Sequence, residues 1–185
     1  MQTPVYSPEE ARTRETFLAL MWAMSYPGRT YALPSESRRS AASLLLIGET
    51  LLDLETSFYT PDADLASAFN RFGARSLPPE RAQYHFYTEL LTRHLPTLEG
   101  ASAGTMLYPE RSATLILGCA LGIGRTFRLS GPGIAYHIDV KIDLIPDAFW
   151  ELRARVARYP LGWDVFFVSG SQVIGLPRSA ALERV

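Results

Sequence analysis

Hydrophobic residues change their spacing near Ala113, and that change is the strongest constraint on the fold. Upstream, capped stretches carry apolar side chains at intervals of three and four; downstream, short apolar runs alternate with tight glycine turns. The first pattern belongs to helices interleaved with strands, the second to strands joined by hairpins. A chain with both is expected to be α/β, a three-layer α/β/α arrangement with helices on both faces of a mixed sheet. With 185 residues, 47% of them hydrophobic, there is material for one substantial core. A single domain over residues 1–185 is the expectation.

Ser7-Pro8-Glu9-Glu10 supplies an N-cap, a first-turn proline and a Glu at the third helical position, which predicts a capping box and a helix to about Ser25. Phe17, Leu20, Met21 and Met24 form its apolar face, and Tyr26-Pro27-Gly28 ends it. Residues 29–33 read as a short strand, and 38–49 as a helix with Ala41, Leu44, Leu45 and Gly48 on one side. A strand is expected at 51–54, then a helix capped by Thr60-Pro61-Asp62 that carries Leu65, Ala68, Phe69 and Phe72. Residues 83–87 read as a strand, 88–95 as a short helix and 96–109 as an irregular connection. Beyond it, 114–130 reads as a hairpin turning at Gly122-Ile123-Gly124-Arg125, followed by a strand at 135–140. Pro146 opens a helix through Val156, and 165–168 with 172–176 form a second, apolar hairpin.

Charge and composition exclude several chemistries. A net charge of −1 and a pI near 6.3 give no general attraction for nucleic acid or an anionic membrane. Among 18 basic residues only Lys141 is a lysine, so a phosphate-loop lysine or a Schiff base has one possible position. Lys141 lies between Val140 and Ile142 in a strand-like run, which predicts a solvent-facing side chain. Cys119 is the single cysteine, ruling out an intrachain disulfide and a multi-cysteine metal site and fitting a reducing cytoplasm. The apolar run 17–24 is too short to span a bilayer.

Two stretches place arginine beside a rigid turn. Arg125 and Arg128 precede Gly131-Pro132-Gly133, and Arg178 follows Gly175-Leu176-Pro177. Glycine leaves backbone N–H groups accessible, proline fixes the loop, and guanidinium offers a planar fork that suits phosphate or carboxylate. Arg125, Arg128, Gly131, Pro132, Gly133 and Arg178 are therefore the candidate ligand- or partner-binding residues. An edge arginine paired with a carboxylate explains Arg128 equally well. The segment Gly118 to Thr126 lacks the glycine spacing, lysine and following helix of a phosphate loop. His137 and Asp139 share a strand face, yet only Asp143 is near enough in sequence to add a third metal ligand. No catalytic residue and no metal site is assigned.

Three blocks carry a resemblance: Phe17 to Gly28 with its Ala-Met-Ser-Tyr-Pro-Gly ending, Ser112 to Ile134 with Leu-Ser-Gly-Pro-Gly-Ile, and Pro160-Leu-Gly-Trp-Asp164 running through Gly175-Leu-Pro-Arg178. In order, spacing and position they resemble the PhnH family of the bacterial carbon-phosphorus lyase system. The resemblance implies a non-redox accessory subunit acting with PhnG, PhnI, PhnJ and PhnL in moving an alkylphosphonate onto the ribose of ATP, with loss of adenine. Radical cleavage of the carbon-phosphorus bond would belong to the iron-sulfur partner PhnJ, and this chain would carry no cofactor. It also implies a homodimer whose fold is similar to pyridoxal phosphate-dependent transferases without a working cofactor site. Leu18, Tyr26 and Ser179 depart from residues frequent in the family, so roles at those positions are not carried over. An autonomous binder of a nucleotide or phosphonate is the alternative reading, and Schiff-base chemistry on Lys141 a weaker third.

Overall fold

Ser7 caps the first helix reciprocally: its hydroxyl accepts the Glu10 N–H at 3.2 Å while the Glu10 carboxylate accepts the Ser7 N–H at 2.8 Å. These bonds satisfy two otherwise orphaned donors, and the serine hydrogen bonds hold the Glu10 carboxyl below its usual range. The computed structural model describes residues 6–35, 37 and 39–185. In chain order the elements are α1 (Pro8–Ser25), β1 (Tyr31–Ala32), α2 (Ser40–Leu51), β2 (Ser57–Tyr59), α3 (Ala63–Arg71), β3 (Arg75–Ser76), β4 (Tyr84–Tyr87), α4 (Leu95–Glu99), β5 (Thr114–Gly118), β6 (Ala120–Ser130), β7 (Ile138–Asp143), α5 (Asp147–Val156), β8 (Asp164–Ser169), β9 (Gln172–Leu176) and β10 (Ala181–Arg184).

A mixed seven-stranded sheet runs β1-β9-β8-β5-β4-β2-β3. Strands β3, β2, β4, β5 and β8 are mutually parallel, and β9 turns back against β8 as the apolar hairpin predicts. Both faces are covered, so central strands are apolar throughout: Leu115, Ile116 and Leu117 are all fully buried. Ile116, Phe166 and Val173 join α1, α2 and α3 in one core, where Phe69 of α3 packs edge-on to Phe58 and tilted against Phe86. Leu115, Leu117, Val165 and Phe167 join a second core on the opposite face.

That second face corrects the expected layer of helices. Besides α4 and α5 it carries a separate antiparallel sheet, β10-β6-β7. Phe127 and Leu129 of β6 and Val140 and Ile142 of β7 point into the second core, and Phe127 meets Trp150 of α5 at 4.2 Å between ring centroids. The expected hairpin at 114–130 is therefore absent. β5 belongs to the large sheet and β6 to the small one, the chain crossing between them at Cys119. Gly122-Ile123-Gly124 form a bulge inside β6, since Leu121 and Arg125 both oppose Ile142 and both glycines have φ near +80°.

Other differences are local. The strand expected at 51–54 starts only at Ser57, because α2 continues to Leu51 and the Asp53 carboxylate accepts the N–H groups of Glu55 and Thr56 in a turn. The second helix begins at Ser40; Arg38, its expected start, lies outside the described residues. Asp62 rather than Thr60 caps α3, accepting from the Asp64 and Leu65 N–H groups. The helix expected at 88–95 is a 3-10 turn at Thr92–His94 that leads into α4, which occupies the start of the supposed irregular connection. Two short strands, β3 and β10, lay outside the expectations.

Candidate functional site

Each arginine singled out in the sequence has its own carboxylate. Arg125 forms an ion pair with Asp147 at the start of α5. Arg128 faces Asp139 across β6 and β7 and donates to both its oxygens, Nε at 2.8 Å and Nη2 at 2.9 Å. These bonds raise the Arg128 pKa and hold the Asp139 carboxyl low. Arg178 grips Asp164 of β8 through Nε and Nη2, the latter at 2.6 Å, while its backbone N–H donates to the same carboxylate at 2.8 Å. Asp147, Asp139 and Asp164 lie on three different elements, so these guanidinium groups do not assemble into one anion cradle.

The Gly175-to-Arg178 turn is held from a second side by a residue the sequence reading placed only as helix. Arg153 of α5 is 5% exposed and donates through Nη2 to the carbonyls of Pro177 and Ala180. Burial pushes its pKa down to about 10, with Asp164 opposing that shift.

The glycines, unlike the arginines, do converge. Gly28, at φ +79°, lies against Leu129, Ile138 and Val140, so that an added Cβ would meet Ile138 at 2.7 Å. Gly133, at φ +83°, lies against the end of α1, where a Cβ would come within 2.3 Å of the Ser25 carbonyl. Gly175 passes nearly as close to the Ala23 carbonyl, which an added Cβ would meet at 2.5 Å, and the Gly28 N–H donates to the Gly175 carbonyl at 3.2 Å. All three sequence blocks therefore meet at the C-terminal end of α1. Gly131 and Pro132 are exposed beside that junction.

Beside it, α1 presents an apolar face to solvent. Thr16, Ala19, Leu20 and Ala23 are buried, whereas Phe17, Met21 and Trp22 remain 52%, 38% and 43% exposed. Spacing alone had assigned Phe17 and Met21 to the core. The buried stripe uses small residues instead, which lets α1 lie close on β9. Trp22 stacks on Tyr26 with centroids 5.6 Å apart, and the Arg29 guanidinium sits 5.1 Å from the Tyr26 ring.

Lys141 is exposed on β7, as its alternation predicts. His137 is exposed and Asp139 is taken by Arg128; among the described residues no cluster of His, Cys, Asp and Glu is arranged to hold a metal ion. Two features escaped the sequence reading. His85 and the Tyr87 hydroxyl are buried on β4 without hydrogen-bond partners. Arg75, Arg81 and Arg111, scattered over 37 positions of sequence, line one cleft.

The family model for the bacterial phosphonate metabolism protein PhnH matches residues 4–183. A protein of Stutzerimonas stutzeri, named for a C-P lyase subunit, HtxG, is 33% identical over 172 residues, covering 91% of this chain and 84% of that protein. The alpha-D-ribose 1-methylphosphonate 5-triphosphate synthase subunit PhnH of Rhizobium meliloti (strain 1021) is 36% identical over 92 residues, covering 49% of this chain and 46% of that one.

Proposed function

This chain belongs to the PhnH family of bacterial phosphonate metabolism proteins, and we propose on that footing that it acts as an accessory subunit of a carbon-phosphorus lyase assembly in phosphonate catabolism. Coverage carries the reading: likeness to a named C-P lyase subunit extends over 91% of the chain, well beyond a shared motif. The geometry supports it in a second way. Arg125, Arg128 and Arg178 spend their charge on internal carboxylates, while α1 leaves Phe17, Met21 and Trp22 uncovered beside a glycine junction that fixes their position. An aromatic patch on a rigid support is what a partner-facing surface requires.

On this reading the partners are PhnG, PhnI and PhnJ, with PhnL, and the joint reaction moves an alkylphosphonate onto the ribose of ATP. The chain acts as one unit in the cytoplasm, pairs as a homodimer, and resembles pyridoxal phosphate-dependent transferases without using their cofactor. Its one lysine is exposed on the polar face of β7 in phase with Asp139 and Asp143, opposite the face on which Val140 and Ile142 are buried, so it points to solvent and not into an enclosed site. Gly131, Pro132 and Gly133 shape the partner-facing rim and the arginines stiffen it. Co-expression of the four subunits tests the assignment: this chain is expected to co-purify with PhnG, PhnI and PhnJ in fixed stoichiometry. Its consistent absence from an otherwise assembled complex would refute the reading.

A further inference from the structure

A cleft of about 570 Å³ opens at the amino ends of the parallel strands, where β2, β3, β4 and β5 begin. Arg75, Arg81 and Arg111 line it, and Glu110 is the one carboxylate among the lining residues. Arg12, Arg125, Arg128, Arg155 and Arg178 all stand against carboxylates, whereas among the described residues none of the three cleft arginines does.

Their other engagements are slight. Arg75 donates one Nη2 bond to the Glu55 carbonyl at 3.1 Å, and Arg111 lies over the Tyr108 ring at 4.1 Å, which orients its fork without neutralising it. No side-chain hydrogen bond of Arg81 is made among the described residues. Ser112, only 7% exposed on the cleft wall, has a hydroxyl without a partner. An unpaired buried hydroxyl costs free energy that a ligand oxygen reaching it would relieve. By contrast Gln83 and Ser57 already satisfy each other, Gln83 Oε1 accepting from the Ser57 N–H at 2.9 Å and the Ser57 hydroxyl accepting from the Gln83 N–H at 3.2 Å. That reciprocal pair fixes the floor between β2 and β4, engaging Ser57 and Gln83 Oε1, while the guanidinium groups and the Gln83 side-chain NH2 remain as donors lining the cleft.

Three guanidinium groups against one carboxylate favour an anion of more than one charge, and their forks favour oxygens splayed as in a tetrahedral head. The volume lies within the range of small-molecule sites and exceeds what a bare oxyanion fills. We propose that this cleft binds the phosphoryl or phosphonyl dianion of a small molecule, with Arg75, Arg81 and Arg111 as its ligands and the Ser112 hydroxyl as a neighbouring donor. The proposal rests on the cleft alone and is independent of subunit assembly.

Calorimetry on the full chain, with inorganic phosphate, methylphosphonate and tripolyphosphate as probes and acetate as the monoanion comparator, tests it. Saturable binding of the first two with a Kd of about 1 mM or tighter is expected, with tripolyphosphate tighter still if the natural ligand is a phosphate chain. Acetate should bind at least about tenfold more weakly. Arg81→Gln, which breaks no side-chain hydrogen bond among the described residues, should weaken phosphate binding at least about tenfold. Amide shifts on phosphate addition should centre on Ser57, Tyr84, Ser112 and Thr114. No saturable binding by any of the three probes, undiminished binding in Arg81→Gln, acetate binding of equal strength, or shifts centred away from those residues would each overturn the assignment.

Discussion

Protonation of His85 works against the fold. This histidine is fully buried on β4 with neither ring nitrogen hydrogen-bonded, and burial pushes its pKa from the usual 6.5 down to about 4. The unfolded chain therefore binds this proton more readily than the native one. Stability from His85 is fully present above pH 6.5 and declines as pH falls toward about 4, a total of roughly 3 kcal/mol. Urea midpoints should drop between pH 7.5 and pH 5, and His85→Phe, which keeps an aromatic ring beside Tyr59, should flatten most of that drop. His94, also held low chiefly by burial, would supply the residual slope. Equal losses in wild type and variant would acquit His85. A second contrast concerns glycine. Gly133→Ala meets both a positive φ and the Ser25 carbonyl at 2.3 Å, while Gly122→Ala meets a positive φ with nothing within 4 Å. Denaturation should show a loss of about 1 kcal/mol for Gly122→Ala and at least about twice that for Gly133→Ala.

Among the elements, α1 separates what periodicity can show from what it cannot. Its limits and its capping box follow from Ser7, Pro8 and Glu10, because caps are local chemistry. Its buried face does not follow, since Phe17 and Met21 satisfy helical spacing as well as Thr16, Ala19 and Ala23 do, and only close approach to β9 selects the smaller set. Strand β6 fails for a related reason: the apolar run from β5 continues past Cys119, and nothing within it marks the passage from one sheet to the other. The exposed α1 face yields a direct expectation. Trp22→Ser should lower chemical stability by about 1 kcal/mol, because the ring is 43% exposed and what it loses is chiefly its stack on Tyr26. The same variant should markedly reduce co-purification with the other subunits of the assembly. Unchanged recovery would remove α1 from the interface.

At the scale of the molecule, the sequence reading found the α/β class and the apolar centre but not the second sheet, because antiparallel pairing of β10, β6 and β7 joins residues far apart in the chain, Arg184 opposite Phe127 being the most distant. The candidate site was legible only in part. Its glycines were visible as turn residues, whereas the partners of its arginines and the cleft of Arg75, Arg81 and Arg111 arise from tertiary assembly. The seven-stranded sheet divides two cores, and alternate residues of each central strand serve opposite faces: Leu115 and Leu117 one, Ile116 the other; Phe167 one, Phe166 and Val168 the other. A strand tied to both cores opens only when both are breached, so its amides should exchange by the most global opening available. Strands β1 and β3 are two-residue edges, and β3 is exposed along its length. Native-state hydrogen exchange should therefore find the slowest amides at Leu115–Leu117 and Phe166–Val168 and fast exchange at Arg75 and Ser76. Removing side chains from either core should lower protection in β5 and β8 alike. For Phe69→Ala in the helix-covered core and Phe149→Ala in the other, the loss at these amides should be about 3–5 kcal/mol in each case. Protection that fell in response to only one of the two substitutions would show that the cores unfold separately, with the sheet stabilised from a single face.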